Sequence, residues 1–300
     1  MSKHIDTLVA DMYDVLENDK NHSLETEAIT RFAASVAGHY QNAVSGVRRP
    51  RKDNVIYASE LGKKCIRQLA YERTPGVEKE PIRGATLYKF LYGNVIEELT
   101  LQLVKSAGHK VTHEQAEFEY VFKVPDTLAS TEEWKVRGRS DCVIDDEAMV
   151  DIKSASAFAF RKYTSQGIDK DNDSFGYIEQ LDFYDTLWEN TAKVTPNFLF
   201  VNKESGALGL VSSPYSASWK TRATTIAKTL SFFNAHSKYP ERMEGYEVPE
   251  GKSGNMKLST VCSYCPFKKT CHPTVRTFLY ANQPVFLTKV VREPKVPEVK

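Results

Sequence analysis

WKVRGRSDCVIDDEAMVDIKSAS, the sequence of residues 134–156, decides how we expect this chain to fold. It contains two β-like runs around an acidic turn at residues 145–147, a pattern typical of a β-hairpin. If the three turn residues form the loop, Ile144 pairs with Ala148, and this pair sets the register of both strands. The sequence therefore predicts an antiparallel strand pair with a defined register.

Two carboxylates and a lysine share one face of this predicted hairpin. Counting back from the turn places Asp141 directly opposite Asp151, and Lys153 lies on the same side of its strand. Val150 and Ile152 indicate a buried strand, where an unpaired carboxylate would cost several kcal/mol. A divalent cation between the two acids resolves this conflict. Hard oxygen ligands favour Mg²⁺ or Mn²⁺ over Zn²⁺.

This set of side chains predicts phosphodiester hydrolysis. The two carboxylates hold a metal that activates water and neutralises a scissile phosphate, and Lys153 orients the water or stabilises the transition state. The alternative is a surface hairpin whose acids and lysine face solvent, since a short Asp-x-Lys sequence often occurs by chance.

Composition indicates an ordinary globular protein. The chain has 300 residues, of which 41% are hydrophobic and 26% charged. The N-terminal segment has no continuous apolar run, and no stretch approaches the roughly 18 apolar residues of a membrane span, so we expect a cytoplasmic protein. The net charge of +1 neither predicts nor excludes a polyanionic partner. The basic sequence VRRPRK at residues 47–52 is a candidate DNA contact or a solvated linker.

The order of predicted elements indicates an α/β fold. Apolar spacing predicts two helices before residue 46, a long helix over residues 87–107 that ends at Gly108, and helices over residues 175–189 and 216–236. Strand-like runs cover residues 110–124, 134–144, 148–154, 197–203 and 207–213, and a polar loop covers residues 161–174.

The hairpin resembles the catalytic strand pair of the PD-(D/E)XK nuclease superfamily, in particular its RecB-like exonuclease branch. The family carries an Asp on one strand and (D/E)-x-K on the next, as GRSD up to Asp141 and VDIK up to Lys153 do here. Ser140 stands where the family name has Pro. The resemblance implies a restriction-endonuclease-like core, in which helices flank a mixed central sheet.

The same resemblance implies a third acid on an upstream helix. Gly93 followed by Glu97 matches the family's pattern, and Glu98 is the alternative, because adjacent helical positions point about 100° apart. Without the resemblance, both would be read as solvent-facing helix formers.

A further helix carries Gln180 and Tyr184 on one face, with Tyr177 and Trp188 close to the same stripe. This matches the Q-x-x-x-Y element of the branch, although the aromatic residues alone would also fit a core. The resemblance implies three sets of residues. The catalytic residues are Glu97, Asp141, Asp151, Lys153, Gln180 and Tyr184, the metal ligands are Glu97, Asp141, Asp151 and Ile152, and the DNA contacts are Arg67, Tyr177, Gln180 and Tyr184.

Four of the five cysteines have ligand-like spacing. Cys262-x2-Cys265-x5-Cys271 lies near the C-terminus and Cys65 lies far upstream, a set that suits either zinc or an iron-sulfur cluster. The split resembles the 4Fe-4S staple of AddB-type and CRISPR-associated exonucleases, in which the first cysteine begins C-x-R-x3-Y, as Cys65 does here. The resemblance therefore favours the cluster. A Cys3His zinc site that includes His272 is an alternative. Cys142 is predicted to be a small core residue.

Together these patterns predict a Mg²⁺- or Mn²⁺-dependent DNA exonuclease with a 4Fe-4S cluster. We expect it to act on DNA with a free end in recombination, repair or replication-linked degradation, with any helicase or recombination protein supplied separately. A non-catalytic, metal-stapled DNA-binding module and an endonuclease of the same superfamily are the alternatives. The predicted parts are an N-terminal helical region with the basic linker (1–56), a nuclease core (57–260), a cysteine-rich segment (261–280) and an extended tail (281–300).

Overall fold

The computed structural model describes residues 3–18, 26–45, 51–63, 65–81, 84–125, 131–189, 193–216, 218–281 and 283–299. Most of the basic sequence at residues 47–52 lies outside these ranges, as does part of the linker that we expect there.

A five-stranded mixed sheet forms the centre of the fold. In spatial order its strands are β2 (Val111–Thr112), β5 (Cys142–Ile144), β6 (Ala148–Ala155), β7 (Thr195–Asn202) and β8 (Leu208–Ser212). Strands β6 and β7 run parallel, whereas the other neighbours are antiparallel. Ile144 pairs with Ala148, so the predicted hairpin register is confirmed.

Side chains that alternate along β6 enter two different cores. Met149 joins the larger hydrophobic cluster, whereas Val150 and Ile152 join a smaller one. Cys142 is fully buried in the smaller cluster, as predicted for a core residue. Because the period of a strand is two residues, Asp151 and Lys153 lie on the same face as Met149.

A second sheet contains the residues that precede the hairpin, which corrects one prediction. Its order is β1 (Val55–Tyr57), β4 (Thr131–Arg139) and β3 (Glu117–Pro125). The run predicted as one strand over residues 134–144 is therefore two strands in two sheets, separated at Ser140 and Asp141. Trp134, Val136, Cys142 and Ile144 are buried and all lie at even-numbered positions, so the spacing of apolar residues does not reveal the break.

Helices cover both sides of the central sheet. The predicted N-terminal helices are α1 (Leu8–Glu17) and α2 (Thr26–Ser45), and both pack on the long helix α5 (Gly84–Ser106), which lies against β6. The other helices of the core are α3 (Ala58–Leu61), α4 (Ile66–Arg73), α6 (Ala157–Gln166), α7 (Tyr177–Thr186) and α8 (Trp219–His236).

Helix α6 includes the first part of the segment predicted as a polar loop over residues 161–174. The helix forms because Ser156 caps it: the Ser156 hydroxyl accepts a hydrogen bond from the Ala159 N–H at 3.3 Å. None of the described helices has the length and apolarity that crossing a membrane requires.

The C-terminal residues form a sheet of their own instead of a tail. Its order is β13 (Glu298–Val299), β11 (Arg276–Tyr280), β12 (Gln283–Lys289), β10 (Met256–Leu258) and β9 (Glu247–Pro249). The expected tail at residues 281–300 is thus extended, but it is paired backbone to backbone with β11 and β10. Two short helices between β10 and β11, α9 (Thr260–Ser263) and α10 (Lys268–Cys271), carry cysteines.

Candidate active site

Strand β6 presents Asp151 and Lys153 side by side. Asp151 is 2% exposed, and Lys153 Nζ lies 2.7 Å from its Oδ2. Burial lowers the pKa of Lys153, but the carboxylates of Asp151 and Asp141 outweigh burial and raise this pKa above its ordinary value. The lysine therefore keeps its charge at neutral pH.

Asp141 lies at the junction between the two sheets, one residue before β5. Cys142 pairs with Val150, and extending that register places Asp141 opposite Asp151, as predicted. The Ile152 N–H donates a hydrogen bond to Asp141 Oδ2 at 2.7 Å. Burial and then the charge of Asp151 raise the pKa of Asp141 well above its ordinary range.

Helix α5 brings Glu97 to the same group. Burial raises the pKa of Glu97, the charge of Lys153 lowers it and the charge of Asp151 raises it, with a net upward shift. Gln115 Nε2 donates a hydrogen bond to Glu97 Oε1 at 3.4 Å. Glu98 has a different partner, His39 of α2, whose Nε2 lies 3.2 Å from Glu98 Oε1. Of the two predicted acids, Glu97 is the one whose charge acts on Asp151.

Helix α7 places Gln180 beside Tyr184. Gln180 Nε2 donates a hydrogen bond to the Tyr184 hydroxyl at 3.3 Å. Tyr184 is 1% exposed and packs against Gly138, where an added Cβ would lie 2.6 Å from the Tyr184 hydroxyl. The ring of Tyr184 is therefore enclosed in the core, and its direct contact with DNA stays a prediction. The Tyr184 hydroxyl holds the Gln180 amide through their hydrogen bond.

Tyr177 begins α7 and lies close to the lysine. Its ring centroid is 5.4 Å from Lys153 Nζ, and it is only partly buried. Burial, more than any other cause, raises the pKa of Tyr177 to about 12, so its phenol stays neutral beside the lysine.

A cavity of about 480 Å³ reaches the acidic edge of this group, whereas Asp151 and Lys153 are not among the residues that line it. Glu97, Asp141 and Ile152 line one part of it. Arg31 from α2 and Lys105 from α5 line another part. The N-terminal helical region therefore forms one wall of the candidate site.

The side chains present fit a hard divalent cation. Asp151 Oδ1 is buried and accepts no hydrogen bond from any described residue, although a buried carboxylate oxygen normally has a partner. Three carboxylates with interacting charges, those of Glu97, Asp141 and Asp151, face one lysine, so negative charge is in excess. Within the described residues, no three acidic, histidine or cysteine side chains already converge on one point as ligands would. Lys153 Nζ lies against Asp151, where a cation would also bind.

The four predicted cysteines line one small cavity, to which Cys142 does not contribute. Cys65, Cys262, Cys265 and Cys271 all contribute to its wall, together with Arg67, Tyr71 and His272. All five cysteines are free thiols. Burial raises the pKa of Cys265 to about 12, and the nearby Cys65, Cys262 and Cys271 add to the shift. The structure thus brings Cys65 to the C-terminal cysteines, as the sequence predicts.

Arg67 lines this second cavity, and its contact with DNA stays a prediction. Its Nη1 donates to the Pro240 carbonyl at 2.6 Å, and its Nε donates to the Tyr71 hydroxyl at 2.9 Å. The guanidinium also lies over the ring of Tyr239. Two of the three guanidinium nitrogens of Arg67 therefore donate within the fold.

Sequence reasoning missed two residues that contact the acids of α5. Gln115 is bound to Glu97, and His39 is bound to Glu98. The helical periodicity of α2 could have predicted that His39 is half-buried. Gln115 lies in a turn before β3 and has a φ of 53°. No sequence pattern predicted this turn.

No known protein family and no curated protein matches this sequence. Among solved structures, the chain resembles the crystal structure of SSO0001 with 15% identity and a TM-score of 0.44, over 78% of this chain and 93% of that one. It also resembles an alkaline exonuclease, LHK-Exo, from Laribacter hongkongensis, with 14% identity and a TM-score of 0.40, over 61% and 91% of the two chains. The complex of LHK-Exo with dAMP has 14% identity and a TM-score of 0.39, over 62% and 92%. Likeness at this level does not establish a shared activity.

Proposed function

We propose that this chain is a metal-dependent nuclease of the PD-(D/E)XK kind that hydrolyses phosphodiester bonds in DNA. One observation carries the proposal. Asp141, one residue before β5, lies opposite Asp151 of β6 in the extended register, Lys153 adjoins Asp151, and the charge of Glu97 on α5 reaches both Asp141 and Asp151. Burial of several like charges is costly for folding. It is expected, however, where the carboxylates bind Mg²⁺ or Mn²⁺.

The proposed ligands are Glu97, Asp141, Asp151 and the backbone carbonyl of Ile152. When bound, Mg²⁺ or Mn²⁺ neutralises charge on the scissile phosphate and lowers the pKa of water. Lys153 stays protonated and donates a hydrogen bond to a phosphate oxygen or to the attacking water. Gln180 positions substrate beside the lysine, and the buried Tyr184 hydroxyl holds the Gln180 amide in place.

The four clustered cysteines support a second part of the proposal, a 4Fe-4S cluster. Thiolates from Cys65, Cys262, Cys265 and Cys271 would hold it, and it would tie the start of α4 to the segment between β10 and β11. The proposed role is structural. Zinc at the same thiols, or at three of them with His272, is the alternative that metal analysis separates.

We further propose that the substrate has a free end and that the role lies in DNA recombination, repair or replication-linked degradation. A helicase or recombination protein would act as a separate chain. The competing functions are an endonuclease of the same superfamily and a non-catalytic DNA-binding module stapled by metal.

The test is to incubate the purified chain with end-labelled linear DNA and with circular DNA, in Mg²⁺, Mn²⁺ or chelator. We expect metal-dependent release of nucleotides from linear DNA, and loss of at least about 100-fold in activity for Asp151→Asn and for Lys153→Met. Asp146→Asn is the matched control, because Asp146 belongs to the same hairpin but pairs with Lys110 at its turn.

Three outcomes discriminate the candidates. Activity that survives both substitutions removes the nuclease proposal, and equal cutting of circular DNA replaces the exonuclease with an endonuclease. Binding of DNA without any cutting supports the non-catalytic module.

A further inference from the structure

An exposed aromatic ring lies next to the candidate active site. Phe175 precedes α7 and is 57% exposed, although its ring stacks on that of Tyr177 with centroids 5.5 Å apart and planes 28° apart. The Tyr177 ring in turn lies 5.4 Å from Lys153 Nζ. A stack of two rings therefore leads from the lysine to solvent.

The turn that holds Phe175 is fixed by a buried carboxylate. Asp173 is 4% exposed and accepts hydrogen bonds from the backbone N–H groups of Phe175 (3.1 Å), Gly176 (2.8 Å) and Ile178 (2.9 Å). The backbone of Gly176 also touches that of Gly62, since a Cβ on Gly176 would lie 2.2 Å from the Gly62 Cα. These contacts fix the backbone from which the Phe175 ring projects.

A single exposed phenylalanine needs no explanation by itself. Phe175 differs because Asp173 holds its backbone, because its ring stacks on a ring beside Lys153, and because more than half of it stays accessible. Folding does not need this exposure, so the ring is available for a planar ligand close to the lysine.

We propose that the Phe175–Tyr177 stack is a binding site for an unpaired nucleobase of the strand that is cleaved. The inference rests on the proposed nuclease function and deepens it. Every nucleobase has a flat face that stacks on an aromatic ring, and such stacking changes affinity by about 5- to 150-fold per base. The faces of bases inside a duplex are already stacked on neighbouring bases. The substrate at this position is therefore a single strand or a frayed end.

The neutral phenol of Tyr177 suits this role. Its pKa is raised to about 12, with burial as the first cause, so the ring adds no negative charge near the phosphates of the bound strand. Lys153 lies on the same ring and supplies the positive charge that a phosphate next to the stacked base needs.

The experiment uses a single-stranded oligonucleotide that carries 2-aminopurine, whose fluorescence falls when it stacks. Binding is measured in Ca²⁺ to avoid turnover, and KM and kcat are measured in Mg²⁺ or Mn²⁺. The variants are Phe175→Ala, Phe175→Leu and Phe175→Trp. Phe232→Ala is the matched control, because Phe232 is also exposed and stacked, on His236 of α8.

We expect Phe175→Ala and Phe175→Leu to lose the fluorescence change and to raise KM for the single strand about 5- to 150-fold. Phe175→Trp restores both, and Phe232→Ala changes neither. An abasic nucleotide at the stacked position should raise KM for the wild-type chain but not further for Phe175→Ala, since both changes remove the same contact.

Phe175→Leu and Phe175→Trp keep the test valid if Phe175→Ala fails to fold. If the wild-type chain and Phe175→Leu have equal KM and equal fluorescence, the stacking inference is overturned. The proposed nuclease function still stands in that case, provided that the wild-type chain cuts DNA. If the wild-type chain cuts no DNA with either metal, the proposed function fails, and the inference falls with it.

Discussion

Asp141 and Asp151 face each other at the junction between two sheets, and the Ile152 N–H next to Asp151 already binds Asp141. Burial and mutual repulsion make this pair costly, and the charge of Lys153 and the Ile152 N–H offset part of that cost. Substitutions of this pair should therefore raise the stability of the metal-free chain while they lower its proposed nuclease activity.

Asp141→Asn should stabilise the metal-free chain and abolish its nuclease activity. Burial first, and then Asp151, raise the pKa of Asp141, so the folded chain binds this proton more tightly than the unfolded chain does. Stability in chelator therefore falls as pH rises from the ordinary pKa of Asp through the raised one. We expect Asp141→Asn to raise Tm at pH 7.5 by about 2 °C or more and to flatten the pH dependence.

Thermal unfolding in chelator between pH 5 and pH 8 measures this effect, with Asp146→Asn as the control. An Asp141→Asn chain that melts lower than wild type at pH 7.5 would contradict it. Added Mn²⁺ at about 100 times its Kd should stabilise the wild-type chain by about 2.7 kcal/mol, and Asp141→Asn much less.

Glu97 and Glu98 form a matched pair of neighbouring acids. Glu97 interacts electrostatically with Asp151, whereas Glu98 is paired with His39. We expect Glu97→Gln to weaken metal-dependent cleavage about 10- to 100-fold, as the loss of one ligand or ligand contact does. Glu98→Gln should change it less than about threefold. Titration of activity with Mn²⁺ compares the two, and equal losses would mean that α5 is rotated relative to the site.

Tyr184→Phe tests the hydroxyl without emptying the core. The ring keeps its packing, but Gln180 loses the acceptor of its hydrogen bond. We expect kcat to fall about 3- to 10-fold, KM to stay unchanged, and the free energy of unfolding to change by about 1 kcal/mol or less. Gln180→Ala combined with Tyr184→Phe should be no worse than Gln180→Ala alone. Additive losses in kcat would show that the hydroxyl acts independently of Gln180.

Substitution of single cysteines tests the proposed 4Fe-4S cluster. Cys65→Ser and Cys265→Ser should reduce iron content and brown colour after anaerobic purification, because each removes one proposed ligand. Cys142→Ser is the control, since Cys142 lies in the core between strands and should leave the iron unchanged. A colourless wild-type protein with stoichiometric zinc would replace the cluster by a zinc site.

The sequence by itself determined the hairpin and the face that carries its chemistry. Asp141, Asp151 and Lys153 are close in the chain, so the period of two residues and one three-residue turn suffice to align them. Helical spacing likewise placed Gln180 and Tyr184 one turn apart, and cysteine spacing singled out four of five thiols. These relationships are local, or depend on counting alone.

The tertiary structure decided what local geometry leaves open. The run predicted as one strand divides at Ser140 and Asp141, because β4 pairs with β3 in one sheet and β5 pairs with β6 in another. The choice of Glu97 over Glu98 depends on how α5 packs on β6, and the burial of Tyr184 depends on the close approach of Gly138. The turn at Phe175 and Gly176 packs against Gly62, far away in the chain. Such contacts join distant segments, and packing alone selects them.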